Sequence, residues 1–127
     1  MHNAVDAREL LAPVADAAAL DELVARSYEE PVLLFNYDPF CPINASARWE
    51  LERLGADVAV VDVARQHDLG QLVATRTGVR HESPQVIVLR AGRAAWSASH
   101  FRITADAVRG ALDAARRADP ETPVAPP

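Results

Sequence analysis

Apolar and polar positions along the chain switch between two periods, and the switches mark its elements. Val32 to Tyr37 reads as a continuous apolar run, as expected of a strand buried on both faces of a sheet. Val58 to Asp62 is a second such run. Between them Ile43, Ala47, Leu51 and Leu54 recur at helical spacing, while Arg48, Glu50, Glu52 and Arg53 fall on the opposite side. Pro42 suits the first helical position, where a missing N–H costs nothing, and Gly55 suits the position after the last turn. The pattern predicts a helix over Pro42–Leu54, and a strand, helix and strand of these lengths form a right-handed parallel crossover.

The flanking segments are weaker. Leu10 to Val14 predicts a short strand, weakened by Pro13. Asp16 is a plausible N-cap for a helix running to about Tyr28, with Leu20, Leu23 and Val24 on one face. A further helix is predicted from about Asp68 to Thr77, stopped by Gly78. A strand entered through Pro84 follows, then a turn at Ala91-Gly92-Arg93 and an antiparallel partner over Ala94–Ser99. Thr104 caps a last amphipathic helix carrying Val108, Leu112 and Ala115. From Asp119 the chain is rich in proline, which predicts a disordered tail over 119–127 behind one domain over 1–118. This order, β-α-β followed by α-β-β-α, predicts an α/β thioredoxin-like fold: a central mixed β-sheet flanked by helices.

Composition removes several classes of function. A net charge of −5 argues against a nucleic-acid or anionic-membrane surface. All 13 basic residues are arginine, which reads as genomic bias. No window approaches the ~18 apolar residues of a membrane span. The opening M-H-N-A-V-D-A-R-E-L-L has early acidic residues and no apolar core, so a secretory leader is not expected. A single cysteine without a disulfide framework fits a reducing compartment, and the expected location is the cytoplasm. One cysteine and four scattered histidines supply no ligand pair at zinc spacing, so no metal site is expected.

The candidate chemistry centres on that cysteine, Cys41, at the strand-to-helix junction N-Y-D-P-F-C-P-I-N. A thiol at a helix N-terminus faces unpaired N–H groups and the positive end of the helix dipole, both of which favour the thiolate, the nucleophilic form. Free cysteine is also a common inert core residue; its place at the carboxyl end of a central strand, where α/β sheets put their sites, favours reactivity here. The position three residues on is Asn44, so no internal disulfide can close with it and any sulfur partner must come from outside.

Three segments, C-P-I-N at 41–44, H-E-S-P-Q-V at 81–86 and W-S-A-S-H-F-R-I-T at 96–104, together resemble the monothiol bacilliredoxin family over roughly residues 17–113. Asn44 stands where the family motif has serine but can still cap or hydrogen-bond locally, which implies retuning and not loss of chemistry; Phe40 lies in an unusual D-P-F segment, part of a D-P-F-C-P turn. The resemblance implies catalysis by Cys41, with Pro42, Asn44, Ser83, Pro84, His81 and Phe40 forming the substrate-binding surroundings. It implies a cis bond before Pro84, leaving the Ser83 backbone free to pair with a bound thiol. His81 is either an electrostatic partner or proton donor near Cys41 or a solvated loop residue. His100 is expected to be structural, and His2 and His67 to lie at the surface. The implied co-substrate is bacillithiol, with S-thiolated client proteins as partners and no metal or nucleotide cofactor. The resulting reading is a monothiol disulfide-exchange protein that removes bacillithiol from clients. A thiol-based redox sensor and a non-enzymatic binding module with an incidental Cys41 stay open.

Overall fold

The computed structural model describes residues 11–118; the expected disordered tail, His2 and the first residue of the expected opening strand lie outside them. The elements run β1 (Leu11–Pro13), α1 (Ala17–Arg26), β2 (Val32–Tyr37), α2 (Pro42–Leu54), β3 (Val58–Asp62), α3 (His67–Thr77), β4 (Gln85–Arg90), β5 (Arg93–Ser99), a 3-10 turn (His100–Arg102) and α4 (Ala105–Arg117). The five strands form one sheet in the order β1-β3-β2-β4-β5. β3 pairs parallel with both β1 and β2, whereas β4 runs antiparallel to β2 and β5. This is the thioredoxin fold, a mixed sheet between helices.

Strong apolar runs account for the centre. β2 and β4 are buried almost throughout and split their side chains between two cores by the two-residue period of a strand. Leu33, Phe35, Val86 and Val88 pack with Ala47 and Leu51 of α2 and Val108 and Leu112 of α4. Leu34, Ile87 and Leu89 pack on the other face with Leu20 of α1 and Leu69 and Val73 of α3. Apolar burial on both faces, at about 25 cal/mol per Å², is the main force holding the sheet between its helices.

Local signals set the helix ends. Asp16 accepts from the Ala19 N–H at 2.9 Å and Thr104 from that of Ala107 at 3.2 Å, each satisfying one orphan donor. Gly55 ends α2 in the left-handed region at φ 74°, which glycine enters without a Cβ penalty. α1 stops at Arg26, short of the expected Tyr28. The reason lies in the last turn: the Ser27 N–H and Oγ both donate to the Val24 carbonyl, so the Tyr28 N–H turns to that of Ala25 at 3.2 Å. Beyond the helix the Ser27 carbonyl accepts from Ala91 N–H at 2.8 Å and from the buried Arg90 Nη1 at 3.0 Å.

Candidate functional site around Cys41

β2 and β4 place the site. Their last paired residues are Asn36 and Gln85. Because the strands are antiparallel, the chain leaving β2 toward Cys41 and the chain entering β4 from Ser83–Pro84 meet at the same end of the sheet. β5 returns to that end too, since Ser99 pairs with Gln85 and the His100 N–H donates to the Pro84 carbonyl at 3.0 Å. H-E-S-P-Q-V and W-S-A-S-H, far apart in sequence, are thus joined by that bond.

The Cys41 loop is a tight turn built from Asp38. The Asp38 carbonyl accepts from the Cys41 N–H at 3.2 Å. Its carboxylate accepts from the Phe40 N–H at 2.9 Å, an Asx turn, with Pro39 pre-setting the bend between them. Asn44 completes the structure: its Oδ1 accepts from the Asp38 N–H at 2.8 Å. Asn44 is 0% exposed, so it holds the turn from inside and presents no surface to a ligand. Its Nδ2 is buried with no hydrogen-bond partner among the described residues.

Cys41 itself is a free, partly exposed thiol at the N-cap position of α2, and it makes no capping hydrogen bond. Pro42 follows at the first helical position, exposed. Phe40 stands beside the cysteine 72% exposed, with the Arg65 guanidinium 5.3 Å from its ring centroid. Arg65 is anchored by Asp62, whose Oδ2 accepts from Nη1 at 2.6 Å and whose Oδ1 accepts from the Ala64 and Arg65 N–H groups. Burial opposes ionisation of Asp62, but Arg65 and these N–H groups outweigh it and hold the carboxyl below its ordinary value.

On the opposite side of the site the Ser83–Pro84 bond is cis, and Pro84 is buried. Among the described residues, the backbone N–H and carbonyl of Ser83 meet no protein partner. His81 leans toward α3: a Cβ added to Gly70 would come within 3.3 Å of His81 Cε1 and 3.2 Å of Val63 Cγ1. Gly70 therefore makes room for the His81 ring, whose Nδ1 is buried without a partner among the described residues. His100 faces Glu82 at 4.0 Å and His67 lies exposed at the start of α3.

Pattern reading passed over two residues. Asn36 and Gln85 are 1% and 3% exposed, and the Asn36 Nδ2 donates to Gln85 Oε1 at 2.9 Å. The available signal was Asn36 within the apolar run of β2 and Gln85 at the head of that of β4. Gly70, a glycine in a helix interior, was a third.

Comparison with known proteins agrees with this geometry. The family model of the monothiol bacilliredoxin BrxC matches residues 12–108. A protein described as having a thioredoxin fold superposes with a TM-score of 0.72 at 23% identity, covering 83% of this chain and 96% of its own. A thioredoxin variant from Halobacterium salinarum gives 0.65 at 21% identity, covering 87% and 95%. Thioredoxin from Fasciola hepatica gives 0.65 at 14% identity, covering 83% and 99%. At these identities the structural likeness speaks for the fold alone, and the family match adds a thiol redox role. No helix among the described residues is long and apolar enough to cross a membrane.

Proposed function

We propose, from the premise that this chain belongs to the monothiol bacilliredoxin BrxC family, that it removes bacillithiol from client proteins by disulfide exchange at Cys41. The observation that carries the reading is a partly exposed free thiol at a helix N-cap, with Asn44 buried at the position where a resolving cysteine would stand. Only an external sulfur can then pair with Cys41.

In the first step the Cys41 thiolate attacks the bacillithiol sulfur of a client–bacillithiol disulfide. A disulfide forms between Cys41 and bacillithiol as the client disulfide breaks. The electron pair leaves with the client sulfur, which takes up a proton and departs as a thiol. In the second step a further bacillithiol thiolate attacks the bacillithiol sulfur on Cys41. Oxidised bacillithiol leaves and the Cys41 thiolate is restored. Such exchange depends on access to the attacked sulfur and on the leaving thiol.

The surroundings suit these steps. Phe40 offers an exposed apolar surface beside the sulfur, and the unpartnered Ser83 backbone can pair with an extended segment of the bound disulfide. A cytoplasmic setting fits this chemistry, because low-molecular-weight thiols hold such exchange in balance there. Intact-protein mass after exposure to oxidised bacillithiol and, separately, oxidised glutathione tests the reading. One bacillithiol per chain, lost in Cys41→Ser, is expected, with less adduct from glutathione. No adduct on a Cys41 that iodoacetamide still alkylates would overturn it.

A further inference from the structure

The loop that carries Ser83 is seated by the His81 ring against Gly70, but its hydrogen bonds come from one side chain. Among the described residues, the hydrogen bonds made by residues 80–83 all run to Gln85. Gln85 Nε2 donates to the Arg80 carbonyl at 2.8 Å, and Gln85 Oε1 accepts from the Glu82 N–H at 3.4 Å. One carboxamide thus ties both ends of the segment containing His81, as a backbone strand would. The same Oε1 accepts from Asn36 Nδ2, which fixes the direction of the carboxamide from the neighbouring strand. Asn36 and Gln85 are also the last register pair between β2 and β4, two residues from Asp38 on one side and from Ser83 on the other.

We infer that Asn36 and Gln85 are positioning residues that hold the Ser83–Pro84 edge in register with the Cys41 turn. The inference rests on the exchange reaction proposed above. Neither side chain is exposed, so neither touches a disulfide substrate; they act through the loop. A buried polar pair whose bonds run from one strand through the other to the loop points to a geometric role. Asn36 Oδ1 has no partner among the described residues, so the clasp is retained although one of its polar atoms goes unpaired.

The double variant Asn36→Leu with Gln85→Met separates positioning from folding. Replacing both partners by apolar groups of similar shape can be nearly neutral for stability, yet it leaves Arg80 and Glu82 untied. The variant should melt close to wild type and alkylate with iodoacetamide at the wild-type rate, since Cys41 and its turn are untouched. Exchange with a bacillithiolated client should fall by roughly 10- to 100-fold, the scale of a misplaced binding edge, and the Glu82 amide should exchange hydrogen faster. Gln85→Met alone should lose exchange to the same extent and also lose stability. Wild-type exchange in a folded double variant would overturn the inference. If wild-type protein itself shows no exchange, the parent reading fails instead, and the Glu82 amide still decides: unchanged protection in the double variant would refute the clasp.

Discussion

The two loops that meet near Cys41 at one end of the sheet are both fastened by near neighbours, but only one of the fasteners is itself oriented from a distant strand. The Asp38–Cys41 turn is fastened by groups no more than six residues apart: Asp38 to Phe40, Asp38 to Cys41 and Asn44 back to Asp38. The loop over 80–83 is fastened by Gln85, three residues from Glu82 and five from Arg80, and Gln85 takes its own orientation from Asn36, 49 residues away in sequence. The first loop is built from local chemistry and carries Cys41. In the second, the fastening side chain is held across the β2–β4 pair. Precision in the first is set by turn residues, and in the second by tertiary structure.

That contrast can be broken at several points. The largest effect is expected at Cys41 itself. Cys41→Ser replaces sulfur by oxygen with little change in volume, so exchange should vanish while the melting temperature stays near wild type; residual turnover would show another route. Next is Asn44→Ala, which removes the bond to the partly buried Asp38 N–H and leaves a void. An unsatisfied buried donor costs about 1–3 kcal/mol and a partly buried one falls toward the lower end, about 1 kcal/mol; the looser turn should slow exchange without abolishing it. Thermal melts and client-release rates measured together check both halves. An Asn44→Ala protein of unchanged stability would mean that the local fastening is not what holds the Cys41 loop.

A smaller effect is expected at Phe40→Ala. It deletes the contact with Arg65, about 0.5–1 kcal/mol at an exposed site, together with apolar surface beside the thiol. A loss of client exchange larger than the loss with a small disulfide would locate that surface at the client interface. The smallest effect concerns Asp62. Its folded-state pKa lies below the ordinary 3.8, so its contribution is present above that value and disappears as pH falls through the lower folded value. Asp62→Asn should therefore cost up to about 1 kcal/mol at neutral pH, given the exposure of Arg65, and nothing in strong acid. A cost independent of pH would assign the effect to packing.

The same contrast explains what could be read from the sequence. The bounds of β2, α2 and β3 followed directly from apolar runs, Pro42 and Gly55, because the signals sit inside the elements they set. The turn before Cys41 was visible as D-P-F, since Asp and Pro act on their immediate neighbours. The role of Asn44 was half visible: local hydrogen bonding was foreseen, but its complete burial depends on how α2 packs over the sheet. The end of α1 falls two residues before the expected one because Ser27 itself occupies the Val24 carbonyl, a choice that apolar spacing does not show. The Asn36–Gln85 pair is invisible for a different reason, its dependence on strand register. A polar residue in an apolar run has no meaning until the register brings its partner opposite.

The account stands on Cys41 acting as a turnover thiol and not as a sensor or an incidental packing group. The most direct test supplies a bacillithiolated client, excess bacillithiol and a catalytic amount of this protein, and follows release of the client thiol. The account predicts many client thiols released per protein, through a one-to-one bacillithiol adduct on Cys41 that builds and discharges. Release that stops at one equivalent would contradict it in favour of a sensor, and no release with Cys41 shown accessible would contradict it in favour of a binding module.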